Sequence, residues 1–93
     1  MIIGILKLEL YLPGNSSLKE KRMVLKSLKD RARRSFNISI SELGEHDKWQ
    51  RSVIGIAAIG MTKDMMNSLL DKVLNFIENT RDIEISNYEM EII

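Results

Sequence analysis

The sequence predicts an α+β sandwich of order βαββαβ, in which two helices cover one face of a four-stranded antiparallel sheet. Three observations carry this. Leu6, Leu8, Leu10 and Leu12 alternate with Lys7, Glu9 and Tyr11, the period of a strand. Two segments repeat apolar residues at helical spacing, each behind a capping signal. Between them the stretch Val53 to Ile59 is almost wholly apolar, as in a central strand.

Residues 2–12 form the first predicted strand. Ile2, Ile3 and Ile5 are apolar on both phases, so its first half is expected to be covered on both faces. Pro13-Gly14-Asn15-Ser16 is a turn. Ser17-Leu18-Lys19-Glu20 is a capping box that starts a helix at Leu18. Leu18, Leu25, Leu28 and Ala32, with Val24 beside them, form its buried stripe, and Asn37 ends it near Phe36. Residues 37–43 form a second strand with Ile38 and Ile40 inward, and 44–48 a hairpin turn. Residues 49–61 form a long third strand, expected to be covered on both sides; its phase is not set by the sequence. Thr62 caps a second helix that runs to about Asn79, with Met65, Met66, Leu69, Leu70, Val73, Phe76 and Ile77 as its apolar face. Residues 82–93 form a last strand. Ile83 and Ile85 share one phase and Tyr88, Met90 and Ile92 the other, so a bulge is expected near Ser86-Asn87.

This order is the split βαβ, or ferredoxin-like, unit. Right-handed crossovers put strands one and three in the middle of the sheet. The face away from the helices carries Ile3 and Ile5, and a second copy of the chain is the simplest cover for it, making a homodimer.

The 93 residues make one domain, 1–93. Without cysteine the chain has no disulfide, thiolate chemistry or zinc–thiolate site, which fits a reducing cytosol. The apolar start is broken by Lys7 and Glu9, too soon for a membrane span, and lacks the basic lead of a signal peptide. The net charge of +1 hides a dipole. Residues 19–34 hold eight of the fourteen basic residues against Glu20 and Asp30, giving +6; the remainder carries six basic and eleven acidic residues, giving −5.

The run Leu18-Lys19-Glu20-Lys21-Arg22, then Val24-Leu25-Lys26-Ser27-Leu28-Lys29-Asp30-Arg31 and Phe36-Asn37-Ile38-Ser39, resembles the YlxP-like bacterial family. So do Glu42-Leu43-Gly44, the Asp47-x-Trp49-Gln50-Arg51 motif and Gly55-Ile56-Ala57. The resemblance covers nearly the whole chain. It implies a ferredoxin-like fold and a small cytosolic protein of unknown function. Its genomic setting among translation and ribosome-maturation genes implies an RNA-related role. It supplies no catalytic residues. Ser41 and Ser52 stand where the family pattern leads one to expect alanine, and His46 where another polar residue is expected.

Two groups of residues are candidates for a site. Glu42, Asp47, Trp49, Gln50 and Arg51 should gather near Lys19, Lys21 and Arg22, because the hairpin lies at the helix start. That cluster reads as a polar recognition site, or as ion pairs fixing the hairpin to the helix with Trp49 packed over them. Lys19, Arg22, Lys26, Lys29 and Arg33, spaced 3, 4, 3 and 4, form a ridge along the helix, with Arg34 beyond it. Such a ridge can follow phosphates of RNA or the ribosome, dock an acidic protein, or stand as a solvated face. Acids at the hairpin are expected to neutralise Lys19, Lys21 and Arg22, leaving Lys26, Lys29, Arg33 and Arg34 for an outside partner. Glu84, Glu89 and Glu91 could meet the basic helix of another copy.

Other chemistries find little footing. Residues 14–17 could hold an anion on free amides, but GxxxxGK[ST] is absent, and residues 13–17 lack the arginine that acylphosphatases of this topology carry there. One histidine in an exposed turn makes no metal site, and no cofactor is expected. The Gly60-Met61-Thr62 loop lacks the cysteines of metal chaperones, and Met65-Met66 reads as core. Aromatic side chains do not line strands one and three, so base stacking on the sheet is not expected. An enzyme would have to use Glu42, Asp47 and Arg51 near Lys21 without a nucleophile beyond Ser or Thr. The expectation is a non-catalytic binding module, with no small-molecule substrate and no membrane contact.

Overall fold

The computed structural model describes residues 1–93. Its elements are β1 (Ile2–Tyr11), α1 (Leu18–Ser35), β2 (Ser39–Gly44), β3 (Arg51–Gly60), α2 (Lys63–Glu78) and β4 (Glu84–Ile92). The sheet order is β2-β3-β1-β4, all antiparallel, with the predicted pair at its centre. The arrangement is ferredoxin-like. No helix is long and apolar enough to cross a membrane.

Both helices start as their caps dictate. Ser17 accepts the Glu20 amide, and the Glu20 carboxylate reaches back to the amide and hydroxyl of Ser16. Thr62 accepts the Met65 amide. α1 stops at Ser35, with Phe36 extended as its C-cap. The core lies between helices and sheet. Leu6, Leu8, Leu10 and Leu12 meet Ile54, Ile56 and Ala58 from the strands and Leu25, Leu28, Met66, Leu70, Val73 and Ile77 from the helices. Gly4 is required there: a Cβ would overlap the Met66 side chain and come within 3.1 Å of Leu70 Cδ1.

The phase of β3 is now fixed: within the chain only one of its faces is covered. Ser52, Ile54, Ile56 and Ala58 face the helices; Val53, Gly55, Ala57 and Ile59 face away, and Ile59 is 69% exposed. On β1 the same outer face carries Ile3 and Ile5, which are partly buried within the chain. An all-apolar run had two causes, a core on one side and a bare apolar face on the other. The placement of Met65 is corrected: it is 60% exposed, outside the stripe that buries Met66, Leu70, Val73 and Ile77.

The bulge foreseen in β4 is present. Glu9 pairs with Asn87 and Leu10 with Ile85, so Ser86 is the extra residue. A second, unforeseen bulge lies in β2, where Glu42 pairs with Ile54 and Gly44 with Val53. The extra residue, Leu43, lies across Gly55 on the open face, where a Cβ on Gly55 would stand 2.5 Å from Leu43 Cδ1.

Candidate functional site

The hairpin and the start of α1 do meet, through Lys21. Its side chain is 2% exposed although it carries a full charge. Its Nζ donates to the Glu45 carbonyl at 2.6 Å and the Arg51 carbonyl at 2.9 Å, and lies 3.0 Å from Glu42 Oε2. Three acceptors take the three protons of the ammonium group. Ser52 Oγ donates to the same Glu42 oxygen at 2.7 Å. Burial pushes the Glu42 carboxyl up, but hydrogen bonds from Ser52 and Lys21 and the Lys21 charge outweigh it, so the group sits below its ordinary value. Glu45 adopts a left-handed backbone (φ 62°), which turns this strained residue's carbonyl onto Lys21.

This geometry is that of a clamp, joining α1 to both ends of the β2–β3 hairpin, and it takes in only part of the expected cluster. Glu42 belongs to it, and Arg51 contributes its backbone. Asp47 is exposed and makes no ion pair. Trp49 is 53% exposed. Gln50 instead ties down the first loop: its Nε2 donates to the Asn15 carbonyl at 3.1 Å, while Asn15 Nδ2 donates to the Trp49 carbonyl at 3.3 Å. His46 Nε2 stands 3.8 Å from Glu42 Oε1. No group of three His, Cys, Asp or Glu side chains converges to hold a metal. The amides of residues 14–17 offer no open anion cradle, because Glu20 already occupies the Ser16 amide.

Lys21 had a signature in the sequence. It stands four, seven and eleven residues before Leu25, Leu28 and Ala32, on the buried stripe itself. A lysine at a core position of an amphipathic helix announces a buried partner, and Glu42 is that partner.

The ridge on α1 divides differently from expectation. Lys19 and Arg22 find no acidic partner and are exposed. Lys26, expected to be free, donates to Asp30 Oδ2 at 2.9 Å. Arg33 lies 3.8 Å from Asp30 Oδ1 and donates to the Ile40 carbonyl at 3.0 Å, pinning the end of the helix to the edge strand β2. That hydrogen bond from Lys26 holds the Asp30 carboxyl below its ordinary value. Lys29 and Arg34 make no ion pair. Arg31 is withdrawn from solvent, its guanidinium 5.8 Å from the centre of the Phe76 ring. The uncommitted cations of the helix are therefore Lys19, Arg22, Lys29 and Arg34, spread from its first turn to its last. Met23 is the one strongly exposed apolar residue among them.

A shallow depression of about 610 Å³ opens on the sheet face away from the helices. Glu9, Tyr11, Glu45, Gln50, Arg51 and Ser86 are among the residues that line it.

Comparison with known proteins agrees with the resemblance read from the motifs. The family model described as "Protein of unknown function (DUF503)" matches residues 3–90. The uncharacterized protein YlxP of Bacillus subtilis (strain 168) is 42% identical over 83 residues, which are 89% of this chain and 90% of that protein.

Proposed function

The chain belongs to the DUF503 family of proteins of unknown function, and on that premise we propose that it is a cytosolic, non-catalytic RNA-binding module whose contact surface is the outer flank of α1. One observation carries the reading: once every internal ion pair is assigned, Lys19, Arg22, Lys29 and Arg34 still lack an acidic partner, on a helix segment of charge +6. Fifteen residues separate the first and last of these cations, roughly 22 Å of helix, enough to meet several successive phosphates. The flank offers no apolar pocket, and Met23 alone would not make the dry centre that a protein partner needs. A polyanion with evenly repeated charge suits this surface better than a folded acidic protein.

The test is fluorescence anisotropy of a labelled RNA hairpin between ~50 and ~200 mM salt. With four phosphates neutralised, the log–log slope should be about −3, a loss of roughly fifty-fold in affinity across that range. No binding at ~50 mM would refute the reading, as would tighter binding to polyglutamate than to RNA.

A further inference from the structure

The sheet face opposite the helices divides into two ends. At one end Ile3 on β1 lies beside Ile59 on β3, Ile5 beside Ala57, and Ile93 exchanges backbone hydrogen bonds with Ile3. At the other end Glu9 lies beside Val53 and Tyr11 beside Arg51. Ile59, Ile93, Leu43 and Tyr11, all large, are 69%, 58%, 57% and 37% exposed on this face. Lys7, Glu9 and Arg51 make no ion pair within the chain.

We propose that this face is the interface of a homodimer, packed sheet on sheet about a two-fold axis that runs parallel to the strands between β1 and β3. Such an axis keeps each end of the sheet over the same end of its copy and exchanges the strands, setting β1 over β3 of the partner. Ile3 then meets the partner's Ile59, the apolar end of the two central strands closes on itself with Glu91 beside Ile5 on the edge strand β4, and Glu9 comes diagonally opposite the partner's Arg51. An axis at right angles to this would put the isoleucines over Glu9 and Arg51, burying charge against hydrocarbon. The central strands are therefore self-complementary in one orientation and not in the other. Strands of ten, ten, nine and six residues at ~3.3 Å each, side by side at ~4.8 Å, give a face of roughly 550 Å² and about 1,100 Å² buried by the pair, just under a standard interface and above the ~1,000 Å² a specific contact needs. Strands of the two sheets stay nearly aligned, as in other packed sheets. Both copies of α1 end on the outer surfaces of the dimer, so dimerisation neither requires nor blocks RNA binding.

Sedimentation equilibrium from ~5 to ~500 μM at both 0.1 and 0.5 M salt tests it. The wild-type chain should be dimeric at the upper concentrations and remain so at high salt, because the contact is mostly apolar. Ile59→Glu should weaken association at least tenfold while leaving the circular dichroism spectrum intact, since Ile59 is solvent-exposed in the single chain. Glu9→Arg and Arg51→Glu should each weaken the dimer and in combination restore it. A wild-type monomer at 500 μM, an Ile59→Glu variant that stays dimeric, or a combined variant no tighter than either single one would overturn the proposal.

Discussion

Replacing Lys21 with Met removes the ammonium of the clamp and nearly keeps its volume. The loss has two parts. The Glu45 and Arg51 carbonyls lose a donor held at 2.6 and 2.9 Å; Glu45 keeps the Lys48 amide at 3.0 Å, so the cost falls mainly on Arg51, and an unmet buried acceptor costs about 1–3 kcal/mol. Glu42 loses the partner 3.0 Å away; breaking one side of a fully buried pair costs about 3–5 kcal/mol. Glu42 keeps Ser52 and some access to water, so the second part is much reduced, and a total near 3 kcal/mol is expected. Urea denaturation followed by circular dichroism measures it without the ionic screening that guanidinium chloride would add. For a chain of this size each kcal/mol is worth roughly 4–8 °C, so the melting temperature should fall by about 12–24 °C. Lys19→Met, on the exposed side of the same helix, should stay within about 0.5 kcal/mol. A Lys21→Met loss below about 1 kcal/mol, or one no larger than that of Lys19→Met, would refute the clamp.

The Glu42 carboxyl titrates below its ordinary value of 4.5 when folded, so its contribution is complete above that value and disappears as pH falls through the folded one. Wild-type stability measured from pH 6 down to pH 3 should thus fall more steeply than that of Glu42→Gln; parallel curves would deny the shift. Gly4→Ala places a methyl against Met66 and Leu70 in the core and should cost roughly 1–3 kcal/mol in the same urea assay. Gly55→Ala meets only the exposed end of Leu43, which can turn aside, so in the monomer it should cost less than Gly4→Ala; the reverse order would contradict the packing described.

The element order, both caps, the central pair of strands and the bulge at Ser86 were legible because each rests on local pattern: period two, period 3.6, a capping box and a change of phase. What the sequence hid depended on distance. Lys21 looked like one cation among eight, although its spacing to Leu25 and Leu28 placed it on the buried stripe; only the hairpin's return brings Glu42 and two carbonyls to it. Lys26 and Arg33 looked free because their partner, Asp30, sits within the same basic run, and Arg33 also reaches the Ile40 carbonyl on β2. The acids at the hairpin engage Lys21 alone, so Lys19 and Arg22 return to the set of available cations. Strand β3 could not reveal its phase, because small and branched apolar residues fill both of its sides. Asp47 makes no ion pair because the hairpin turn leaves it exposed.

Salt slopes of paired variants decide whether α1 presents its unpaired cations to RNA. Lys19→Gln with Arg22→Gln removes two uncommitted charges and should lower the magnitude of the slope by about 1.5, half of its value. Lys26→Gln with Arg33→Gln removes two charges already engaged by Asp30 and β2, and should lower it by less than about 1. Equal losses from the two pairs, or the larger loss from Lys26 and Arg33, would contradict the account.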